Sequence, residues 1–511
     1  MSGTQVVWFK RDLRVVDHAP LARAAQAGPV LCLYIVEPGL WQQPDAARQH
    51  LLFGLECLRE LYTALRAHGL RLHVRVGEAT EVLQDLHDHT AFTDLHSHEE
   101  TGNGWTYGRD IAVARWCESR GIHWQESPQF GVVRGLRQRS RWQTRWDAFM
   151  AQALAPALQD CQPVNARCDL PPTAAPCADA LGLPAHDPPA RQRGGRTAAL
   201  AVLHAFLHSR SAQYRGGISS PLKATTACSR LSPYLSWGCV SLREVVQLTR
   251  AREAEPELPS RQRQGLNAFT SRLYWHCHFI QKLETEPAIE WHNMHRGYDG
   301  LREGDFNPLH FEALTQGRTG WPLVDACVAM LRETGWLNFR MRAMLVSVAA
   351  YPLWLHWRPV GEWLAQQFLD YEPGIHWSQL QMQSGTTGIN TTRVYNPIKQ
   401  AQDQDPHGHF VRRWLPAMRR VPDSWLFEPW RMPPSVQAQC GVTVGVDIAM
   451  PVVSLDVATR DAKARLHSRR GRPEVRAAKA EVVSKHASRQ VPRARRGKTS
   501  AQPANQPSLW D

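Results

Sequence analysis

Short apolar runs alternate with amphipathic stretches through the first third of the chain. QVVWFK (5–10), VLCLYIV (30–36), LRLHVRV (70–76), AFTDLHSH (91–98) and IHWQES (122–127) have the length and the β-branched or aromatic content of strands. Segments such as ARQHLLFGLECLRELYTALRAHG between them carry helical spacing. Strand and helix in alternation predict a parallel sheet covered on both faces, Rossmann-like in architecture. No G-x-G-x-x-G follows the first strand, so the usual dinucleotide fingerprint is missing. A Pro/Ala-rich stretch without periodicity, 160–195, reads as an interdomain connection. From about 197 to 430 the pattern is helical, as in TAALAVLHAFLHSR, SLREVVQLTRAREA and PLVDACVAMLRETG. The expected division is an α/β domain over 1–155, a linker over 156–196, an all-α domain over 197–432 and a basic tail over 433–511.

One helical stretch, TGWLNFRMRAMLVSVAAYPLWLHW (334–357), sets Asn338, Arg340 and Arg342 among apolar residues. Positions i and i+2 lie about 200° apart on an α-helix, so the two arginines face different neighbours and one anionic partner cannot serve both.

Composition narrows the class. A chain of 511 residues exceeds one ordinary core and suggests two or three domains. With 43% hydrophobic residues, no run approaches the roughly 18 needed for a membrane span, and MSGTQVVWFKRDLR lacks the apolar region of a signal peptide. A soluble, cytoplasmic protein without a membrane partner is expected. The eleven cysteines are scattered, with no C-x-x-C pair, so reduced thiols are expected rather than a disulfide framework, a cluster or a metal site. The net charge of +13 is uneven: residues 456–511 hold 14 Lys/Arg against 5 Asp/Glu, or +9, which leaves +4 for the rest. That tail, poor in large apolar residues, reads as disordered. It would hold nucleic acid through charge alone or simply solubilise the chain, and its removal is expected to leave the fold intact.

The opening VVWFKRDLRVVDHAPLARAA (6–25) resembles that of the photolyase/cryptochrome family. CSRLSPYLSWGCVSLREV (228–245), GRTGWPLVDACVAMLRETGWLNFRMR (317–342) and RVYNPIKQAQDQDPHGHFVRRWLP (393–416) resemble the family's flavin-domain blocks in order and spacing. The resemblance spans roughly residues 5–432. It implies FAD held in the helical domain and, in many members, a second light-harvesting chromophore of folate or deazaflavin type on the α/β domain. Ser229 and Ser232, before a helix, are suitable donors to a diphosphate. The family's pattern begins with Thr where this chain has Cys228. The resemblance assigns Tyr214, Cys228, Ser229, Arg230, Leu231, Ser232, Arg342, Asp370, Tyr371, Glu372 and His376 to the cofactor. In this assignment Arg342 pairs with Asp370, and Arg340 meets DNA phosphate.

Departures from the family pattern bear on the chemistry. Tyr371 replaces a small Gly and Glu372 an Asp. His376 stands at the position opposite flavin N5, where it either tunes the flavin or serves as a core histidine bonded elsewhere. Of the three tryptophans that commonly carry electrons to the flavin, Trp357 matches the middle one, whereas Leu380 and Gly304 stand at the inner and outer positions, and Trp354, Trp363, Trp377, Tyr371 and Tyr395 are either substitute carriers or core packing. At the lesion cavity Trp275 keeps one wall, Met382 replaces the other, and Arg272 occupies the position of a glutamate. Phe339, Arg340 and Gln400, with HFVRRW (409–414), complete the expected DNA contacts. The resemblance implies a deoxyribodipyrimidine photo-lyase, a carbon–carbon lyase acting as a monomer on UV-damaged DNA by electron transfer from reduced FAD, with Trp357, His376 and Trp275 in catalytic positions. The competing reading is a cryptochrome-type blue-light photoreceptor without repair. An NAD(P)H-dependent flavoprotein is disfavoured by the absent glycine fingerprint.

Overall fold

The computed structural model describes residues 3–136, 139–164, 178–389 and 394–486. Five strands, β1 (Gln5–Phe9), β2 (Val30–Val36), β3 (Leu72–Val76), β4 (Asp94–His98) and β5 (His123–Ser127), form one sheet in the order β3-β2-β1-β4-β5. Every pairing is parallel. The two central strands, β1 and β2, are buried along their whole length because helices cover both faces. Val7, Phe9, Cys32 and Tyr34 point to one face, where Leu51, Phe53 and Leu58 of the helix Arg48–Ala67 meet them. Val6, Trp8, Leu31 and Leu33 point to the other, against Leu83 of Ala79–Thr90 and Val113 of Gly104–Arg120. The period-2 alternation of side chains along a strand produces this division.

The turn after β1 ties the sheet to the rest of the molecule. Asp12, 1% exposed, accepts the Lys10 backbone N–H at 2.7 Å and bonds His18 Nε2 at 2.8 Å and His98 Nδ1 at 2.7 Å. Burial alone would raise its carboxyl pKa. The charge and hydrogen bonds of the two histidines outweigh this and hold it well below the usual range. Next to it Arg11 crosses to the helical part, donating to the carbonyls of Ser236 (2.9 Å) and Tyr371 (3.1 Å) and pairing with the Glu372 carboxylate (3.1 Å). Gly238, at φ +64°, lies under this crossing. A Cβ there would come within 2.4 Å of the Arg11 carbonyl oxygen, so close approach and backbone conformation both require glycine.

Helices make up the regular structure from Arg196 onward. The longest, Ser260–Thr285, packs on Pro373–Ser384, and Phe339–Ala350 packs on that helix in turn. The linker expected over 156–196 lies in part, at 165–177, outside the described residues. Its later portion is packed: Ala178, Leu181 and Leu183 are buried in the N-terminal core, and Arg191 pairs with Glu56 at 3.0 Å.

The tail corrects the expectation of disorder over the residues that are described. Leu455–Gly471 and Pro473–His486 are helices docked on the helical domain. Ala462 and Leu466, four residues apart on one face, and Val475 join Tyr298, Ala350 and Tyr351 in a separate apolar cluster. Arg469 Nε donates to the Gly297 carbonyl at 2.7 Å, Arg465 pairs with Asp305 at 3.1 Å and His486 with Glu286 at 2.6 Å. Low hydrophobicity was a poor guide because a few apolar residues, Leu455 and Val482 among them at the edge of the helical core, are received by a surface that is already formed. Residues 487–511 of the expected tail lie outside the described residues. Replacing Leu466 by Ala is expected to cost about 2–4 kcal/mol, seen as a lower urea midpoint for unfolding of the helical domain, where a disordered tail would give no change.

Candidate functional site

Two adjoining cavities open in the helical domain. The inner one, about 150 Å³, is lined by Arg342, Asp370, Glu372 and His376 among apolar walls that include Phe368 and Leu380. The outer one, about 290 Å³, is lined by Tyr214, Cys228, Arg272, Trp275, Arg340 and Tyr395. Ser232, His276, Phe339, Ile375 and Gln379 line both, so the two spaces share a wall.

The helix Phe339–Ala350 divides its arginines between these spaces. Asn338, at its N-cap, donates from Nδ2 to the carbonyls of Ile218 (3.0 Å) and Ser219 (3.1 Å), which sets the orientation of the first turn. Arg340 faces the outer cavity, and its Nε is buried with no hydrogen-bond partner among the described residues. Arg342 turns inward. Its Nη2 meets Asp370 Oδ2 at 2.9 Å, its Nε donates to the Leu337 carbonyl at 2.8 Å, and its guanidinium lies 4.1 Å from the Phe368 ring centre. Burial would push the Asp370 carboxyl up, but Arg342, helped by the Ser232 hydroxyl and the charge of Arg230, more than offsets this and holds it below the usual carboxylate range.

Glu372 lies beside this pair. Burial pushes its carboxyl up to about 7 despite Arg11. His376 is held neutral by burial, which lowers its pKa to about 3. Its Nε2 lies 2.8 Å from the Gly361 carbonyl, and a carbonyl only accepts, so Nε2 carries the proton and Nδ1 keeps a lone pair. The ring is thus anchored in the core through Nε2 and also lines the inner cavity.

Other residues assigned from the sequence are distributed unevenly. Tyr214, Cys228 and Ser232 reach the outer cavity, with Arg272 hydrogen-bonded to Tyr214. Ser232 begins a helix of only five residues, Ser232–Ser236. Ser229, Arg230 and Leu231 line neither cavity: the Ser229 carbonyl accepts from Arg210, Leu231 is in the core, and Arg230, at φ +62°, lays its guanidinium 3.9 Å from the Trp336 ring centre. Met382 and Gln400 also fall outside both walls. Trp357 is buried behind the inner cavity, donating Nε1–H to Asn293 at 2.8 Å and meeting Trp377 edge-on at 5.9 Å. Gly304 sits at the surface in a turn held to the tail through Asp305. In HFVRRW, Arg412 is engaged with Asp423 at 2.6 Å.

Among the wall residues that escaped the sequence reading, His276 and Gln379 line both cavities. Both were within reach of helical periodicity: His276 is one turn beyond Arg272, and Gln379 one turn beyond His376.

A third cavity, about 90 Å³, opens at the carboxyl ends of β1, β2 and β4, lined by Lys10, Tyr34, Glu37, Trp41, Asp45 and Arg109. In the strand order β3-β2-β1-β4-β5 the direction of winding reverses beside β1, which is where open parallel sheets place ligands. The segment HEETGNGWTYGRD (98–110) suggested no chemistry by itself, yet it supplies Glu100, Asn103, Thr106 and Arg109 to this wall.

The inner cavity fits a flavin. Asp370 Oδ1, Glu372 Oε1, Gln379 Oε1 and His276 Nδ1 are buried polar atoms on its wall with no hydrogen-bond partner among the described residues. Such atoms cost free energy unless a ligand meets them, and an isoalloxazine offers apolar faces with N–H and C=O groups along its edge. The fold and this site define a two-domain protein of the flavin-binding class. Two family models match the chain: DNA photolyase over residues 5–135 and the FAD binding domain of DNA photolyase over residues 269–468. The chain belongs to the photolyase/cryptochrome family. It is 29% identical over 483 residues to a cryptochrome DASH of Gloeobacter violaceus, spanning 88% of this chain and 93% of that protein. It is 28% identical over 487 residues to a deoxyribodipyrimidine photo-lyase of Streptomyces griseus, spanning 91% and 99%. A bacterial class III photolyase from Agrobacterium tumefaciens shares the fold with a TM-score of 0.79 at 24% identity, over 92% of this chain and 98% of that one. No helix among the described residues is long and apolar enough to cross a membrane.

Arg342→Ala is expected to weaken flavin retention and to destabilise the helical domain by about 3–5 kcal/mol, because it leaves Asp370 as a buried, unpaired charge. The Asp370 pKa is depressed in the folded wild type, so the pair's contribution is present above the ordinary carboxylate pKa and is lost as pH falls through the lower folded value. In the variant the desolvation of Asp370 is no longer offset by Arg342 and its carboxyl is pushed up instead, so the stability gap between wild type and variant should widen from about pH 4 to about pH 7 as the variant's carboxyl is forced to ionise. Urea unfolding at the two pH values checks this, and a gap that does not change with pH would contradict the pairing.

Proposed function

We propose that the chain is a DNA photolyase that splits cyclobutane pyrimidine dimers in UV-damaged DNA. The observation that carries this reading is the wall shared by the inner and outer cavities, which would bring a flipped-out lesion against the flavin. FAD, when bound and reduced, supplies light-driven donation of one electron. Around it, Arg342, Asp370, His376 and Ser232 hold the cofactor. Trp275 and Phe339 offer apolar faces to the lesion. Arg272, His276 and Gln379 offer polar groups to the pyrimidine edges, and Arg340 offers its guanidinium to a flanking phosphate. Met382, Gln400, Trp357 and the HFVRRW segment contribute from outside the two walls. The N-terminal cavity is assigned to a second chromophore of folate or deazaflavin type: Trp41 and Trp237 lie nearly parallel there, 10° apart with ring centres at 6.4 Å, beside hydrogen-bonding Asn103 and Glu37. The protein works as a cytoplasmic monomer in this reading.

A second reading, a cryptochrome-type photoreceptor without repair, draws support from the tail helices docked across residues 286–305. One experiment separates the two. Chemically reduced protein is given an oligonucleotide carrying a cyclobutane dimer and illuminated with blue light. Loss of dimer with turnover is the expected result, and Arg272→Ala should slow it by about tenfold or more. Binding with no dimer loss would replace repair by the photoreceptor reading. Affinity should also fall steeply as salt is raised, since phosphate contacts release counterions.

A further inference from the structure

The N-terminal cavity and the inner cavity meet at one side chain. Tyr371 lines both, standing edge-on to His376 at 5.1 Å and nearly parallel to His50 at 6.0 Å. Its phenol donates to Asp45 Oδ2 at 2.5 Å, and Asp45 is 5% exposed. That carboxylate is held in turn by Asn103 Nδ2 at 3.1 Å, and the Tyr371 carbonyl is held by Arg11. The ring and its proton acceptor are thus fixed from both sides of the domain boundary.

A phenol that loses an electron becomes a strong acid, so oxidation is easiest where a base already accepts its proton. Burial, with the negative charge of Asp45, pushes the Tyr371 phenol well above its ordinary pKa, so the proton does not leave without the electron. Leu380, on the inner wall, has no redox-active ring, and Trp357 does not reach that wall. Tyr371 does.

We propose that Tyr371, with Asp45 as its proton acceptor, is the residue that reduces oxidised flavin on illumination. One electron passes from the phenol to the photoexcited oxidised flavin, the phenolic O–H bond breaks, the proton moves to Asp45, and a neutral phenoxyl radical remains. A thiol reductant in solution returns an electron and Asp45 returns the proton, which restores the phenol. The inference rests on the flavin reading above.

The test uses the full chain loaded with oxidised FAD, its flavin absorbance measured before illumination, under blue light with dithiothreitol. Flavin reduction is followed by absorbance and the radical by electron paramagnetic resonance. The wild type should show a radical whose spectrum narrows when the protein is made with ring-deuterated tyrosine, and its reduction should slow in D2O. Tyr371→Phe should abolish that radical and slow reduction by about tenfold or more at equal flavin content. Asp45→Asn should slow reduction while the phenol stays in place, and Tyr62→Phe, at an exposed distant site, should match wild type. Wild-type rates in Tyr371→Phe, or a radical that tyrosine deuteration leaves unchanged, would overturn the proposal. So would loss of reduction in Trp377→Phe with none in Tyr371→Phe, which would move the donor to the tryptophans. Protein without flavin absorbance would overturn the flavin reading and this inference with it, and that outcome is visible before any light is applied.

Discussion

A buried carboxylate and a half-buried guanidinium, 2.9 Å apart, constrain how the helical domain is assembled. Neither Asp370 nor Arg342 is tolerable at the wall of an apolar cavity without the other, because the desolvation of an isolated ion exceeds what surrounding dipoles return. The helix Phe339–Ala350 must therefore present Arg342 at the height where the chain delivers Asp370. Arg340 is then directed to the outer cavity, since two positions on along a helix is more than half a turn. The same logic governs Glu372, whose partner Arg11 comes from the turn after β1. The cavity's charged groups thus join the two halves of the molecule.

This arrangement makes the boundary between the halves a chemical site as well as a packing surface. The turn after β1 is rigid because Asp12 spends its oxygens on the Lys10 amide, His18 and His98. A rigid turn places Arg11 reproducibly, and Arg11 fixes the backbone of Tyr371. Asp45, from the N-terminal domain, then meets the phenol. Tyr371 stands between the two cavities and lines both.

The C-terminal helices illustrate a different balance. Alone, a segment with so few large apolar residues could not offset the entropy of ordering its backbone. Docked, it buries Ala462, Leu466 and Val475 against Tyr298, Ala350 and Tyr351, and Arg469 reaches carbonyls of the receiving turn while Arg465 pairs with Asp305. Its order comes from the domain that receives it.

What the sequence by itself determined was local. All five strands were legible as short apolar runs, and the opposed directions of Arg340 and Arg342 followed from helical geometry, because side-chain period depends only on near neighbours along the chain. Resemblance added the Arg342–Asp370 pair and the cavity positions of Tyr214, Trp275 and Arg272. What only the tertiary structure decided was which distant residues meet. Tyr371 and Asp45 are 326 positions apart, His276 and Gln379 converge from different helices, and HEETGNGWTYGRD gained a role only as the rim of a cavity. Packing also set Ser229 and Leu231 outside both cavity walls and placed Leu455–Gly471 and Pro473–His486 of the tail in helices that composition had not indicated. Period and propensity act over a few residues, whereas contact across hundreds of residues is set by how the helices and sheet bury their faces against one another.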